Sequence, residues 1–288
     1  MSDLAELAAC GEVDAVYIAS PNAFHAGQAE RMLQSGKHVL LEKPAAPDER
    51  TFARLCVTAE ENGVTLLEGM RTVFTPGFAA VRGALARLGA VRRVSLTYCQ
   101  YSSRYDSFKR GVVENAFDPS LCNGALMDIG VYCVHALIAL FGSPARVQAA
   151  AIRLPNGLDA AGGALCVYDG MLADLSFGKI ADSRRQSEIQ GEEGTLLIDV
   201  PTNPKHVVFI GRDGTRETVF HDADPEFFGM RHEIAAFMRL SLQRERLKAE
   251  RACYNEWTRK SLRLTDAIRR QTGIDFIRRE ADVGEGKL

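Results

Sequence analysis

From Asp14 to Leu67 short apolar runs alternate with longer segments of helical periodicity. Asp14-Ala-Val-Tyr-Ile-Ala-Ser20 is nearly continuous in apolar residues, the pattern of a strand buried on both faces. Ser20-Pro21-Asn22 breaks the run, Asn22 is placed to cap a helix, and Gly36 is placed to end it. Lys37 to Leu41 predicts a second strand. Pro47 and Asp48 open another helix, Gly63 closes it, and Val64 to Leu67 predicts a third strand. Residues 3–10 read as the tail of a helix. Strands alternating with helices of this length pair in parallel through right-handed crossovers.

The pattern changes after Thr72. Residues 77–88 predict a helix, and Ala90 to Tyr98 alternates like a strand with one wet face. Residues 101–122, rich in Ser, Tyr, Arg, Asp and Asn, read as a long loop, and 124–141 as an apolar helix. Strand character recurs at 146–153, 162–168, 171–177, 185–190, 194–199, 206–210 and 216–220, with turn signals such as Asp169-Gly170 and Asp213-Gly214 between the runs. Helices are predicted near 225–243 and 247–272. Closely spaced strands with tight turns imply a mostly antiparallel sheet. The predicted fold class is therefore α/β followed by α+β, with the α/β part in residues 1–72 and the α+β part in 73–288. Alternation at Val147, Ala149 and Ile152 predicts an apolar face on the second sheet, free to bury against another copy, and hence a homodimer or higher homo-oligomer.

Composition narrows the partners. The chain has 288 residues, 46% hydrophobic and 25% charged, the balance of a soluble globular protein. A formal net charge of −2 lacks the basic excess that nucleic-acid or anionic-membrane partners leave. The cluster Arg244, Arg246, Lys248 is interleaved with Glu245 and Glu250, as on a solvated helix face. The 7 cysteines include no C-x-x-C pair, so neither a metal site nor a disulfide framework is predicted, and reduced thiols of a cytoplasmic protein are expected. Met1-Ser2-Asp3-Leu4 leads into an acidic amphipathic segment and not a signal peptide. Gly124 to Gly142 has the length of a membrane span, but Asp128 and His135 within it point to a core helix.

Three segments carry candidate chemistry. Lys43 follows the second strand and precedes Pro44; in open α/β sheets ligands sit outside such strand ends. An ammonium there is either an ordinary loop lysine or a partner for a substrate oxygen. Asp128, Tyr132 and His135 share a face if 124–141 is a helix. They either line a cleft or form a satisfied buried cluster, with Tyr132 bonded to Asp128 and His135 in the core. Ser20-Pro21-Asn22-Ala-Phe-His25 puts a polar turn and a histidine at the end of the first strand, or is only a capped helix. Arg71, Arg104, Tyr105 and Lys109 lie in segments that border a cleft or a wet surface. His38, His206 and His221 fall in or beside strands, which suits structural roles.

Taken together, Val13 to His25, Gly36-Lys-His-Val-Leu-Leu-Glu42-Lys43-Pro44 and Gly124-Ala-Leu-Met-Asp128-Ile-Gly130-Val-Tyr132 resemble the Gfo/Idh/MocA family of NAD(P)-dependent oxidoreductases. The segments Gln190 to Ile198 and Asp266 to Ile274 fit its C-terminal domain. The resemblance implies a partial Rossmann-type parallel sheet, then a C-terminal substrate and dimerisation domain with a large, mainly antiparallel open sheet. It implies NAD or NADP as cofactor and a sugar, polyol or diol CH–OH group as substrate. By resemblance Lys43 is the active-site lysine, Asp128 holds the substrate, and Ser20, Pro21, Asn22, His25, Glu42, Lys43 and Pro44 border the cofactor. Arg71, Arg104 and His135 are candidate substrate contacts. Tyr132 stands where many members have histidine, as in the dihydrodiol and xylose dehydrogenase branch, which makes it the acid/base. Lys43 beside it is expected to lower the phenol's pKa from about 10.

The family's G-x-G-x-x-G loop and acidic ribose-binding strand are not found in these 288 residues. At about 30 residues per βα unit, the counterpart is roughly 60 residues. The first strand is then expected to be an apolar edge, and the chain to hold NAD(P) poorly at its pyrophosphate. Three readings follow: a start upstream of this one, a truncated gene, or a non-catalytic relative serving as a dimerisation or binding subunit.

Overall fold

The computed structural model describes residues 3–223 and 230–276. Helix α1 (Leu4–Ala9) lies in the segment read as helical, and Asp3 accepts from the Ala5 amide at its start. Strands β1 (Ala15–Ile18), β2 (His38–Glu42) and β3 (Leu66–Gly69) then form a parallel sheet in that order. Helices α2 (Asn22–Gln34) and α3 (Glu49–Glu61) make the crossovers. Asp48 caps α3 through the Thr51 amide at 2.8 Å, and Gly36 and Gly63 follow the two helices with φ of 73° and 66°, as their sequence positions predicted. Both faces of β2 and β3 are covered, which accounts for their continuous apolar character. Val39, Leu41 and Leu66 bury against Leu33, Phe52 and Leu55 on one face, while Leu40 and Leu67 meet Phe237 and Leu240 on the other. β1 is an edge strand, and its Tyr17 is 40% exposed.

Helix α4 (Pro76–Ala84) leads to the second sheet of eight strands. Its strands are β4 (Val91–Cys99), β5 (Arg146–Arg153), β6 (Asp159–Tyr168), β7 (Met171–Gly178), β8 (Ser187–Gly191), β9 (Gly194–Ile198), β10 (His206–Gly211) and β11 (Arg216–His221). Their order is β11-β10-β9-β8-β4-β7-β6-β5. Sequence adjacency confined the antiparallel sheet to 146–220, but β4 sits in the middle of it and runs parallel to β7. One face packs Val94, Leu96, Leu175, Phe177, Ile189 and Leu196 against the helices. The opposite face is not the apolar surface that Val147, Ala149 and Ile152 suggested. Val147 and Ala149 belong to the helix-side core, and Ile152, an odd step further on, points the other way and is 59% exposed. The open face instead carries Arg93, Ser95, Asp174, Ser176, Glu188 and Gln190 along a groove of about 780 Å³, with Arg93 and Asp174 paired at 2.6 Å.

The expected loop 101–122 contains a helix, α5 (Ser103–Lys109), and two 3-10 turns, because Tyr105, Phe108 and Phe117 stack into a small core of their own. The apolar helix opens with a π-helical turn, Leu126–Gly130, and continues as α6 (Val131–Phe141). The helical segment 119–141 is long and apolar enough to cross a membrane, yet 78% of its apolar window is buried inside the protein. Helices α7 (Met230–Leu242) and α8 (Lys248–Thr272) complete the fold, and the first residues of the helix predicted near 225–243 lie outside the described residues. α8 reaches back to the first sheet, where Leu262 joins its core and Thr258 donates to Glu68 at 2.8 Å.

Candidate active site

Strand β2 delivers Lys43 to its C-terminal end, where the side chain turns toward the second sheet. Its Nζ donates to the Asp128 main-chain oxygen at 2.7 Å and to Asp128 Oδ1 at 3.1 Å, and stands 5.0 Å from the centre of the Tyr132 ring. Burial works against this ammonium, but Tyr132, Asp128 and Glu42 around it outweigh burial and hold its pKa above the ordinary lysine value.

Asp128 occupies the π-helical turn, which is fixed at both ends. Asp159 Oδ2 accepts from the Leu126 amide at 2.6 Å. Gly124 has φ of 129°, and a side chain there would meet Asp159 Oδ1 at 2.0 Å. Gly130 lies so close to the Phe177 ring that a Cβ would stand 2.8 Å from it. The second Asp128 oxygen accepts from Lys179 at 2.6 Å. Burial raises the Asp128 pKa, but the two lysines overcome it and leave the carboxyl at about 2. Lys179 is a residue the sequence analysis missed. It follows β7 as Lys43 follows β2, yet nothing in the local pattern ties it to Asp128.

Tyr132 is 8% exposed. Its ring meets Tyr98 edge-on at 5.9 Å, and the Arg71 guanidinium lies 5.5 Å from its centre. The sequence analysis expected Lys43 to lower this phenol's pKa. Burial wins instead, and the pKa lies above the ordinary tyrosine value despite Lys43 and Arg71. Arg71 and Tyr98 also line a cavity of about 490 Å³, with Gln100, Arg185, Asp199 and Asn203; neither Lys43 nor Tyr132 lines it directly.

The remaining predicted residues divide. Asn22 does not cap α2, since Pro21 holds that position with no side-chain bond. The Asn22 amide instead donates to the Cys122 carbonyl at 3.1 Å and to Asn123 Oδ1 at 3.0 Å, joining the first sheet to the second unit. His25 is 1% exposed and sets its ring nitrogens 3.0 Å from the Pro44 carbonyl and 2.7 Å from the Ser20 carbonyl. It holds together the turns that end β1 and β2 and does not face the cleft. The Ser20 hydroxyl donates to Gln28 at 2.7 Å. Glu42 accepts from the Tyr17 hydroxyl at 3.2 Å and from the Lys43 amide.

Two candidate substrate contacts lie apart from this cluster. His135 is 1% exposed, with Nε2 3.7 Å from Glu68, and burial drops its pKa to about 3. A step of three residues turns it away from Tyr132 into the core. Arg104 lies on α5 and pairs with Glu114 at 3.6 Å, both side chains well exposed. Glu68 accepts from the Ala45 amide at 2.9 Å and so braces the turn that carries Lys43.

The nicotinamide half of a dinucleotide fits this arrangement. The turns pinned by His25 bring Pro21, Asn22 and Pro44 to one end of the sheet beside Lys43, and α2 starts there without a side-chain cap. A glycine-rich turn for the pyrophosphate does not occur in the sequence.

A family model for an oxidoreductase family with NAD-binding Rossmann fold matches residues 1–70, and one for the GFO/IDH/MocA C-terminal domain matches residues 78–197. The chain is 43% identical over 276 residues to the scyllo-inositol 2-dehydrogenase (NADP(+)) of Bacillus subtilis, covering 96% of this chain and 83% of that protein. It is 35% identical over 224 residues to the dTDP-3,4-didehydro-2,6-dideoxy-alpha-D-glucose 3-reductase of Streptomyces violaceoruber, covering 73% and 64%. Among solved structures, a 3-ketoreductase from Actinomadura kijaniata in complex with NADP and TDP-benzene superposes with a TM-score of 0.78 at 26% identity, covering 93% of this chain and 81% of that one. With the paired sheets and the Glu42-Lys43-Pro44 strand end, these matches show that the chain belongs to the GFO/IDH/MocA family of oxidoreductases.

Proposed function

We propose that the site transfers a hydride between a sugar or polyol CH–OH carbon and the nicotinamide of NAD or NADP. The observation that carries this reading is the Lys43 ammonium held by Asp128 at 5.0 Å from the Tyr132 ring, whose other neighbours Arg71 and Tyr98 line a polar cavity. Bound against Pro21, Asn22 and Pro44, the nicotinamide would supply the hydride donor or acceptor. Tyr132 moves the substrate's hydroxyl proton, as a phenol when a carbonyl is reduced and as a phenolate when an alcohol is oxidised. Lys43 stabilises the negative charge that forms on either oxygen. Asp128 fixes Lys43, and Arg71 faces the substrate from the cavity. His25, Ser20 and Glu42 brace the turns beneath the cofactor. The relatives' carbohydrate-like substrates support the substrate class.

We further assign the polar open face of the second sheet as the surface through which two copies pair, in a cytoplasmic enzyme. Around the internally paired Arg93 and Asp174, the charges of Arg184, Arg185 and Glu188 suit a two-fold contact in which cations of one copy meet carboxylates of the other.

The reading is tested with K43M, assayed for scyllo-inositol oxidation by NADP. The expected loss in kcat/KM is about 10²-fold or more. Turnover near the wild-type level in K43M refutes it.

A further inference from the structure

We propose that Lys179 is a positioning residue of this site: its ammonium takes one Asp128 oxygen, which leaves the other oxygen and the Asp128 main-chain carbonyl to hold Lys43 beside Tyr132. The catalytic meaning of this rests on Tyr132 being the proton-transfer residue; the contact itself does not.

Lys179 is 3% exposed, and an ammonium withdrawn from water is costly unless it is paired and hydrogen-bonded. An aliphatic side chain would fill the same space without that cost. Lys179 is instead anchored on three sides. Nζ lies 2.6 Å from Asp128 Oδ2, donates to the Ala116 carbonyl at 3.2 Å, and stands 4.9 Å from the centre of the Phe117 ring. The 3-10 turn Asn115–Phe117 thus fixes the ammonium, and the ammonium fixes the carboxylate.

In direct contact one carboxylate serves two ammoniums, Lys43 at 3.1 Å and Lys179 at 2.6 Å. An aspartate needed only to neutralise Lys43 would not be shared with a second buried cation. Sharing leaves Lys43 with part of its charge uncompensated on the side that faces Tyr132, where a phenolate or alkoxide has to form. The other groups that act on the Tyr132 phenol are Glu42 beside Lys43, Arg71, Tyr98 from β4 and Tyr17 from β1. The Lys179 ammonium also acts on Asp159 at the start of β6. None of these groups takes the Asp128 oxygen that Lys179 holds.

Removal of the Lys179 charge acts on Tyr132 in one direction. Asp128, 2.6 Å from Lys179, gains net negative character, and Lys43 is drawn more fully onto the carboxylate. Each change disfavours the phenolate.

The test installs 3,5-difluorotyrosine at position 132, which makes the phenol more acidic and gives it a fluorine resonance of its own. Its ionisation is followed by fluorine NMR with Lys179, K179M, K179Q and K179R, and again in a D128N background. K179M and K179Q are two routes to the same charge loss, so misfolding of one leaves the other. The expected result is a midpoint raised by about one pH unit in K179M and K179Q, unmoved in K179R, and insensitive to K179M once D128N is present. The proposal is overturned if K179M and K179Q leave the midpoint in place, if K179R moves it equally, or if the shift persists in D128N. The readout needs neither cofactor nor turnover, so its failure is separate from failure of the proposed reaction, which K43M tests.

Discussion

The Tyr132 phenol has two cations in reach, Lys43 at 5.0 Å and Arg71 at 5.5 Å from its ring centre, yet burial holds its pKa above the ordinary tyrosine value. At neutral pH the residue is therefore a phenol, ready to donate and not to accept. A directional pH dependence follows. Oxidation of a polyol needs the phenolate, so its kcat/KM should rise about tenfold per pH unit through neutrality toward the phenol's pKa. Reduction of the matching ketone needs the phenol and should stay flat over the same range. Parallel pH profiles with NADP and NADPH check this, and an oxidation profile flat through neutrality would exclude Tyr132 as the base. That Lys43, Asp128 and Tyr132 come together was legible because a strand end and a four-residue helical step are local signals. Lys179 was not legible, because its partner lies on a distant segment that only the fold brings near. The core position of His135 was left open for a related reason, since sharing a broad helix face does not fix whether a side chain meets the cleft or the core.

The π-helical turn at Leu126–Gly130 is the element that sets the site's geometry. Apolar content predicted a helix over 124–141 but not its irregular start, which depends on Asp159 and Phe177 from other strands. A G130A substitution would drive a methyl group against the Phe177 ring, where the Cβ stands 2.8 Å away. The expected cost is about 1–3 kcal/mol in chemical denaturation. Turnover should fall as well, because the strain falls between Asp128 and Tyr132. G130A with wild-type stability and activity would show that the turn tolerates a side chain and is not what places these residues. Strand positions in the second half were legible from turn signals. The place of β4 between β7 and β8 was not, because strand order is decided by long-range pairing.

At the scale of the whole molecule the site exists only where the two sheets meet. Lys43 comes from the first sheet, Tyr98 and Lys179 from the second, and Asp128 and Tyr132 from the helical segment between β4 and β5. Helix α8 ties the units together through Thr258 to Glu68, Arg251 to Glu60 at 2.9 Å and Arg259 to Glu49 at 2.8 Å. The proposed pairing through the open sheet face is polar, so light scattering should give twice the protomer mass at low salt and a weaker dimer as salt rises. A monomer at micromolar concentration in low salt would remove that assignment. Overall architecture was readable from periodicity and the family resemblance, whereas the character of the open face was not, since it turned on the parity of a single strand.

The central claim is that Tyr132 carries the proton in hydride transfer at this site, and Y132F tests it most directly. The substitution removes the hydroxyl and leaves the ring in place against Tyr98, Arg71 and Lys43. Steady-state oxidation of a sugar or polyol that the wild type turns over is measured for wild type and Y132F, with NADP binding followed by calorimetry on both. The account predicts that kcat/KM falls by about 10²- to 10⁴-fold in Y132F while cofactor binding is unchanged. Y132F turning over within a few-fold of wild type would contradict it.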